Sequence, residues 1–139
     1  MIMPIFTVQD VDASIAFYTE KLGFKQDFVM AGPDGKNTFG IVSLGKATLG
    51  LGIAPDQPRG GAGVDFMVFV PDEADLDKHY ADVQARGVKI VAPIEDKYWG
   101  DRTYSIRDLD GYHLTFAKTV KQVPMEEIEA IIRSGKVAQ

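Results

Sequence analysis

Apolar and polar positions alternate over residues 2–8, with Pro4, Phe6 and Val8 on one side and Met3, Ile5 and Thr7 on the other, which predicts a strand. Asp10 and Asp12 then offer caps for a helix over 13–22, where Ile15, Phe17, Tyr18 and Leu22 recur at spacings of three and four before Gly23 stops it. Residues 24–31 are apolar enough for a second strand. The turn signal Gly32-Pro33-Asp34-Gly35 follows, and 37–44 and 46–53 read as a hairpin around Gly45. Residues 55–63 are rich in Pro and Gly and carry no apolar period, so they read as a linker.

After the linker the order begins again. Residues 64–70 predict a strand, Asp72 and Asp75 offer caps, and Leu76, Tyr80 and Val83 mark one side of a helix that Gly87 ends. A strand over 88–91 leads to the clearest pattern in the chain, residues 99–116. There Tyr104 and Ile106 alternate with Thr103, Ser105 and Arg107, and past the turn at 108–111 His113 and Thr115 alternate with Leu114 and Phe116. Asp110-Gly111 suits that turn, because Gly takes positive φ without a clash and Asp bonds nearby amides. The hairpin has one apolar face, which needs a core, and one polar face, which needs water or a ligand.

Laying the halves on each other places Asp10 over Asp72, Gly23 over Gly87, and 48–51 over 113–116. Each half is a βαβββ unit that buries its apolar face with help from the other. The expected fold is α+β: tandem modules over 1–54 and 64–118, joined by 55–63, forming a curved, cup-shaped mixed sheet with helices outside. An extension over 119–139 carries Pro124 at a helix start, Glu126 and Glu127 in the first turn, and Met125, Ile128 and Ile132 in one stripe. Such a helix needs a surface, on its own domain or on a second subunit.

Composition narrows the functions. A chain of 139 residues is long enough for one well-buried core. It has no cysteine, which excludes disulfides, thiolate metal sites and cysteine nucleophiles. A net charge of -5, without a cluster of Lys and Arg, argues against nucleic-acid binding. The first residues lack a basic leader segment, and Pro4 and Thr7 break their apolar run, so neither a signal peptide nor a membrane span is expected and the cytoplasm is the default location. Asp10, Asp12, Asp72 and Asp75 read as caps, and His79 as a residue of a solvated helix face.

Two stretches carry a family resemblance: Asp10-Val11-Asp12-Ala13-Ser14 running to Phe17-Tyr18 and Leu22-Gly23-Phe24, and Trp99-Gly100-Asp101-Arg102 running to Arg107-Asp108-Leu109-Asp110-Gly111. In this order, inside a βαβββ repeat, they resemble the vicinal oxygen chelate superfamily, which contains glyoxalase I, extradiol dioxygenases and bleomycin-resistance proteins. Enzymes of that superfamily hold a divalent metal on the cup face with four side chains, and the resemblance puts those places on Met3, Gly50, Asp65 and Thr115. Asp65 is a good ligand and Thr115 offers a hydroxyl, but Gly50 has no side chain and Met3 is a soft thioether. No metal and no other cofactor is therefore expected.

On strand parity the cup is lined by Met3 and Ile5, then Thr38, Gly40 and Val42, then Gly50, and in the second half by Asp65, Met67, Phe69, Ser105, Arg107, His113 and Thr115. A mostly apolar concavity with a few converging polar groups suits a small organic ligand. Trp99 enters the hairpin either as a stacking surface at the cup rim or as a plug on the sheet edge. Arg107 has two readings, a salt bridge to Asp108 or a contact to an anionic ligand. Asp65 and His113 would suffice in principle for acid or base work. The expectation is a metal-independent homodimer that binds an antibiotic or other toxic compound, as the resemblance to the drug-sequestering members implies. The alternative is a glyoxalase-like lyase, isomerase or dioxygenase with a non-standard or partner-completed metal site.

Overall fold

A computed structural model describes residues 1–136. The first sheet holds β1 (Ile5–Thr7), β2 (Lys25–Ala31), β3 (Asn37–Leu44) and β4 (Ala47–Gly52), in the order β1-β4-β3-β2. The second holds β5 (Asp65–Phe69), β6 (Ile90–Asp96), β7 (Asp101–Arg107) and β8 (His113–Thr119), in the equivalent order β5-β8-β7-β6. In each, the first strand runs parallel to the last and the other pairs are antiparallel. Helix α1 (Val11–Ala16) and helix α2 (Leu76–Ala85) follow β1 and β5. This is the tandem βαβββ arrangement, with the curved sheet divided into two four-stranded halves. No helix among the described residues is long and apolar enough to cross a membrane.

Local chemistry sets the element ends. Asp10 accepts from the Ala13 amide at 3.0 Å and Asp75 from the Lys78 amide at 3.0 Å, so each caps its helix. Two expected caps differ. Asp12 lies inside α1 and accepts from Asn37 Nδ2 at 2.7 Å, and the cap of α2 is Asp75, three residues past Asp72. Beyond Ala16 the first helix widens into a π-type turn over Phe17–Lys21, closed by Leu22 N donating to Phe17 O. Strand β6 runs further than 88–91 because Pro93, which has no N–H to donate, sits on an edge strand where the register shifts twice between Ile90 and Glu95.

Both sheets turn their helix-side faces into one core. Phe6, Val42, Leu49 and Leu51 come from the first sheet, and Tyr104, Ile106, Leu114 and Phe116 from the second. Phe6 joins them directly, with its ring 4.6 Å from that of Phe66 and stacked at 4.3 Å on Tyr112. Helix α1 comes close to β3, because a Cβ on Gly40 would lie 2.7 Å from Ile15 Cδ1.

Polar pins cross the same boundary. Tyr18 Oη donates to Asp108 Oδ2 at 2.7 Å, while Asp108 Oδ1 takes the amides of Asp110 and Tyr112. Burial nevertheless pushes the Asp108 carboxyl up from its ordinary value, and burial beside that carboxylate pushes the Tyr18 hydroxyl up as well. Tyr112 Oη donates to Thr7 O at 2.8 Å.

His79 differs from its expected place on a solvated face. It is part-buried on α2, with Nε2 2.7 Å from Leu22 O and Nδ1 2.6 Å from Tyr104 Oη. A carbonyl can only accept, so Nε2 carries the proton and Nδ1 accepts from Tyr104. Burial lowers the His79 pKa, in keeping with a neutral ring.

The C-terminal helix α3 (Met125–Arg133) leans on its own chain. Ile128, Ile131 and Ile132 are half-buried and Met125 is exposed, and Glu127 and Ile131 line a groove of about 290 Å³ with Lys97, Tyr98 and Val123. The last three residues of the extension over 119–139 lie outside the described residues.

Two outcomes test these pins. Tyr18→Phe leaves a buried carboxylate short of one donor and is expected to cost about 1.5–3 kcal/mol in urea unfolding. Below the ordinary imidazole value of about 6.5 the unfolded chain binds a proton that folded His79 resists, so stability drops as pH falls through that region. Asp108, whose pKa is raised, acts with the opposite sign at lower pH, so the decisive readout is a His79→Gln variant with a shallower loss of urea midpoint between neutral pH and mildly acid pH.

Candidate functional site

Opposite the helix-side faces, the other face of the second sheet is buried at Thr103, Ser105, Thr115 and Ala117 and open at Met67, Phe69 and Arg107. On the second sheet that face is laid out in rows. Asp65, His113 and Arg107 lie side by side on β5, β8 and β7, followed by Met67, Thr115 and Ser105, then Phe69, Ala117 and Thr103. The alternation of 103–107 and 113–117 put Ser105, Arg107, His113 and Thr115 on this face, and the structure agrees, since Tyr104, Ile106, Leu114 and Phe116 are all buried in the core.

Four of these side chains form one hydrogen-bonded group. His113 Nδ1 lies 2.6 Å from Asp65 Oδ1, and Thr115 Oγ1 donates to both Asp65 oxygens at 3.0 and 3.1 Å. Thr115 has a single hydroxyl proton, so Ser105 Oγ, 2.9 Å away, donates to Thr115. The carboxylate likewise requires a proton on His113 Nδ1, which leaves Nε2 of the neutral ring bare and able to accept. Asp65 and His113 are both open to solvent, at 51% and 23% side-chain exposure. Grooves of about 460 Å³ beside Val8, Ile53 and Arg59, and of about 450 Å³ beside Lys46, Phe69 and Pro71, lie away from this group.

Arg107 does not bridge to Asp108. Successive strand residues point to opposite faces, so Asp108 turns inward to Tyr18 while Arg107 stays on the cup side and donates through Nη1 to Gly111 O at 2.9 Å. Trp99 sits on the turn between β6 and β7, 37% exposed, and donates Nε1–H to Asp101 Oδ2 at 2.8 Å. The sequence reading missed Asp101, a buried carboxylate that also accepts from Thr119 Oγ1 at 2.8 Å and so fixes the indole. Gly100 makes this turn possible, with φ of +107° and its missing Cβ 2.1 Å from Lys121 O.

On the first sheet one strand is reversed relative to expectation. Ile5 pairs with Gly50 and Gly50 with Ile41, so the cup face of β3 carries Phe39, Ile41 and Ser43, whereas Gly40 and Val42 face the helix and Thr38 follows them. Residues 39–42 are apolar on both faces, so alternation alone could not choose. The turn at Gly45-Lys46 held the answer: a two-residue turn pairs Leu44 with Ala47 and therefore Ile41 with Gly50. Met3 precedes β1 and is half-buried.

The family model for the Glyoxalase/Bleomycin resistance protein/Dioxygenase superfamily matches residues 2–116. The chain belongs to this superfamily. Among solved structures of similar fold, TioX from Micromonospora sp. ML1 is 23% identical with a TM-score of 0.70, covering 86% of this chain and 98% of that one. TnmS3, an antibiotic binding protein from Streptomyces sp. CB03234, is 24% identical with a TM-score of 0.62, covering 82% and 90%. A relative of the chain, the uncharacterized protein Mb0911c of Mycobacterium bovis, is 27% identical over 138 residues, covering 94% of this chain and 91% of its own length.

The residues at the superfamily's metal places do not fit a metal. A side chain on Gly50 would begin 3.0 Å from Ile5 and 3.2 Å from Phe39, so the space for a ligand there is filled by apolar atoms. Thr115 and His113 already bond the oxygens of Asp65. No group of three or more His, Cys, Asp or Glu among the described residues could hold an ion.

The Trp99 anchor is directly testable, because the chain has a single tryptophan. Asp101→Ala is expected to red-shift its emission and raise its quenching by acrylamide, with a stability loss of about 1–3 kcal/mol from the orphaned Thr119 and indole donors.

Proposed function

We propose that this superfamily member binds a small, largely apolar organic compound, an antibiotic or other toxic molecule, without a metal, in a cup closed by two copies of the chain. The observation that carries the reading is the makeup of the two free sheet faces. Ile5, Phe28 and Met30 on the first sheet and Met67 and Phe69 on the second are 43–60% exposed, and they surround a compact hydrogen-bonded group instead of a metal cage. Apolar side chains left open on a sheet face mark a surface that something covers. These apolar side chains stay open beside a middle of the second sheet's face that is buried at Thr103, Ser105, Thr115 and Ala117, and a second copy that lays its first sheet over the partner's second sheet would make the concavity a ligand needs. The antibiotic-binding character of TnmS3, which shares this fold, supports the same reading.

Binding on such a cup needs no chemical step. The ligand's apolar body takes the place of water on Met67 and Phe69, and Trp99 offers an indole face beyond them. A metal-dependent lyase or dioxygenase would instead need an ion to polarise the substrate oxygen, and the apolar filling around Gly50 opposes one.

The test joins light scattering with elemental analysis of purified protein soaked in Zn, Ni, Mn and Fe(II), followed by thermal-shift screening of flat drug-like compounds. A dimer with substoichiometric metal and Tm raised by one or more apolar compounds is the expected result. Stoichiometric uptake that Asp65→Ala abolishes would reject the reading.

A further inference from the structure

Resting on this binding reading, we infer that the cup selects ligands carrying a hydroxyl of the phenol or enol type, held between His113 and Arg107. Three features of the second sheet lead there. The first is the tautomer. Asp65 accepts the Nδ1 proton of His113, and Thr115 and Ser105 hold Asp65 in place from the side, so Nε2 is presented as an acceptor of fixed direction. The second is the neighbour. Arg107 stands directly across from His113 in the β7–β8 register, with one of its guanidinium N–H groups spent on Gly111 O and others open. The third is the surroundings, since the adjoining rows carry Met67 and Phe69, both exposed.

An acceptor beside a donor, at the edge of an apolar track, matches one kind of group. A hydroxyl gives its proton to Nε2 while its oxygen takes an N–H from Arg107, and the flat carbon frame that bears it lies over Met67 and Phe69. A methyl ether of the same frame keeps the apolar contact and the oxygen but leaves Nε2 without a donor. A polar group buried without its partner costs more than the pair is worth in water, which turns one hydrogen bond into discrimination. Thr115 and Ser105 are thereby positioning residues that act through Asp65, and His113 and Arg107 are the groups that touch the ligand.

The experiment measures the affinity of the full-length protein for three probes, naphthol, its methyl ether and naphthalene, by calorimetry. Naphthol is expected to bind on the order of tenfold more tightly than the ether, with the ether near naphthalene. Asp65→Leu removes the acceptor that fixes the Nδ1 proton of His113, so the preference for naphthol over the ether should collapse while naphthalene binding is kept. His113→Phe, which keeps an aromatic ring at the site, should collapse it as well and serves if the Asp65 variant folds poorly. Equal binding of naphthol and ether by the unmodified protein would overturn this inference and leave the apolar cup standing. Failure of all three probes to bind would overturn both.

Discussion

Everything in this molecule follows from two small sheets having to bury their apolar faces in the same core. A four-stranded βαβββ unit with one short helix cannot cover its own greasy face, and here each unit uses the other. Phe6 meets Phe66 and Tyr112 across the boundary, and Phe24 meets Phe116. Polar groups caught at that boundary are paired, Tyr18 with Asp108 and Tyr104 through His79 to Leu22. Among the described residues no buried side-chain N or O lacks a partner, so the shared core carries its polar pins without an uncompensated group.

The commitment of one face to the core frees the other. Alternation then decides chemistry, since each residue that contributes to stability has a neighbour that points away from it. Tyr104 and Ile106 hold the core while Ser105 and Arg107 reach the cup. Leu114 and Phe116 do the same for His113 and Thr115. The polar group sits on β7 and β8 at the centre of the sheet and on the edge strand β5, and it is positioned by the same hydrogen-bond ladder that makes the sheet. Preorganisation of this kind lowers the cost of ordering side chains when a ligand arrives.

The residues at the superfamily's metal places make a poor ligand set on this scaffold. The places that carry ligands in the metal-holding enzymes are occupied by a thioether, a glycine packed under Ile5 and Phe39, and a carboxylate already engaged by Thr115 and His113. The scaffold does not require the metal, because its stability lies on the opposite face of each sheet.

The sequence by itself determined the tandem βαβββ order and the inward and outward sides of the 99–116 hairpin, because period-two patterning is a local property. It left three things to the tertiary structure. Alternation could not choose the face of β3 where 39–42 is apolar on both sides, and the pairing with β4 across the turn at Gly45-Lys46 fixed it. The roles of His79 and Asp101 depended on partners 57, 25 and 18 residues away. The direction of the His113 ring depended on Asp65, 48 residues distant, which no spacing rule along the chain could bring to its Nδ1. Pattern sets which face a side chain takes, but its protonation and orientation are set by whatever the fold places across from it.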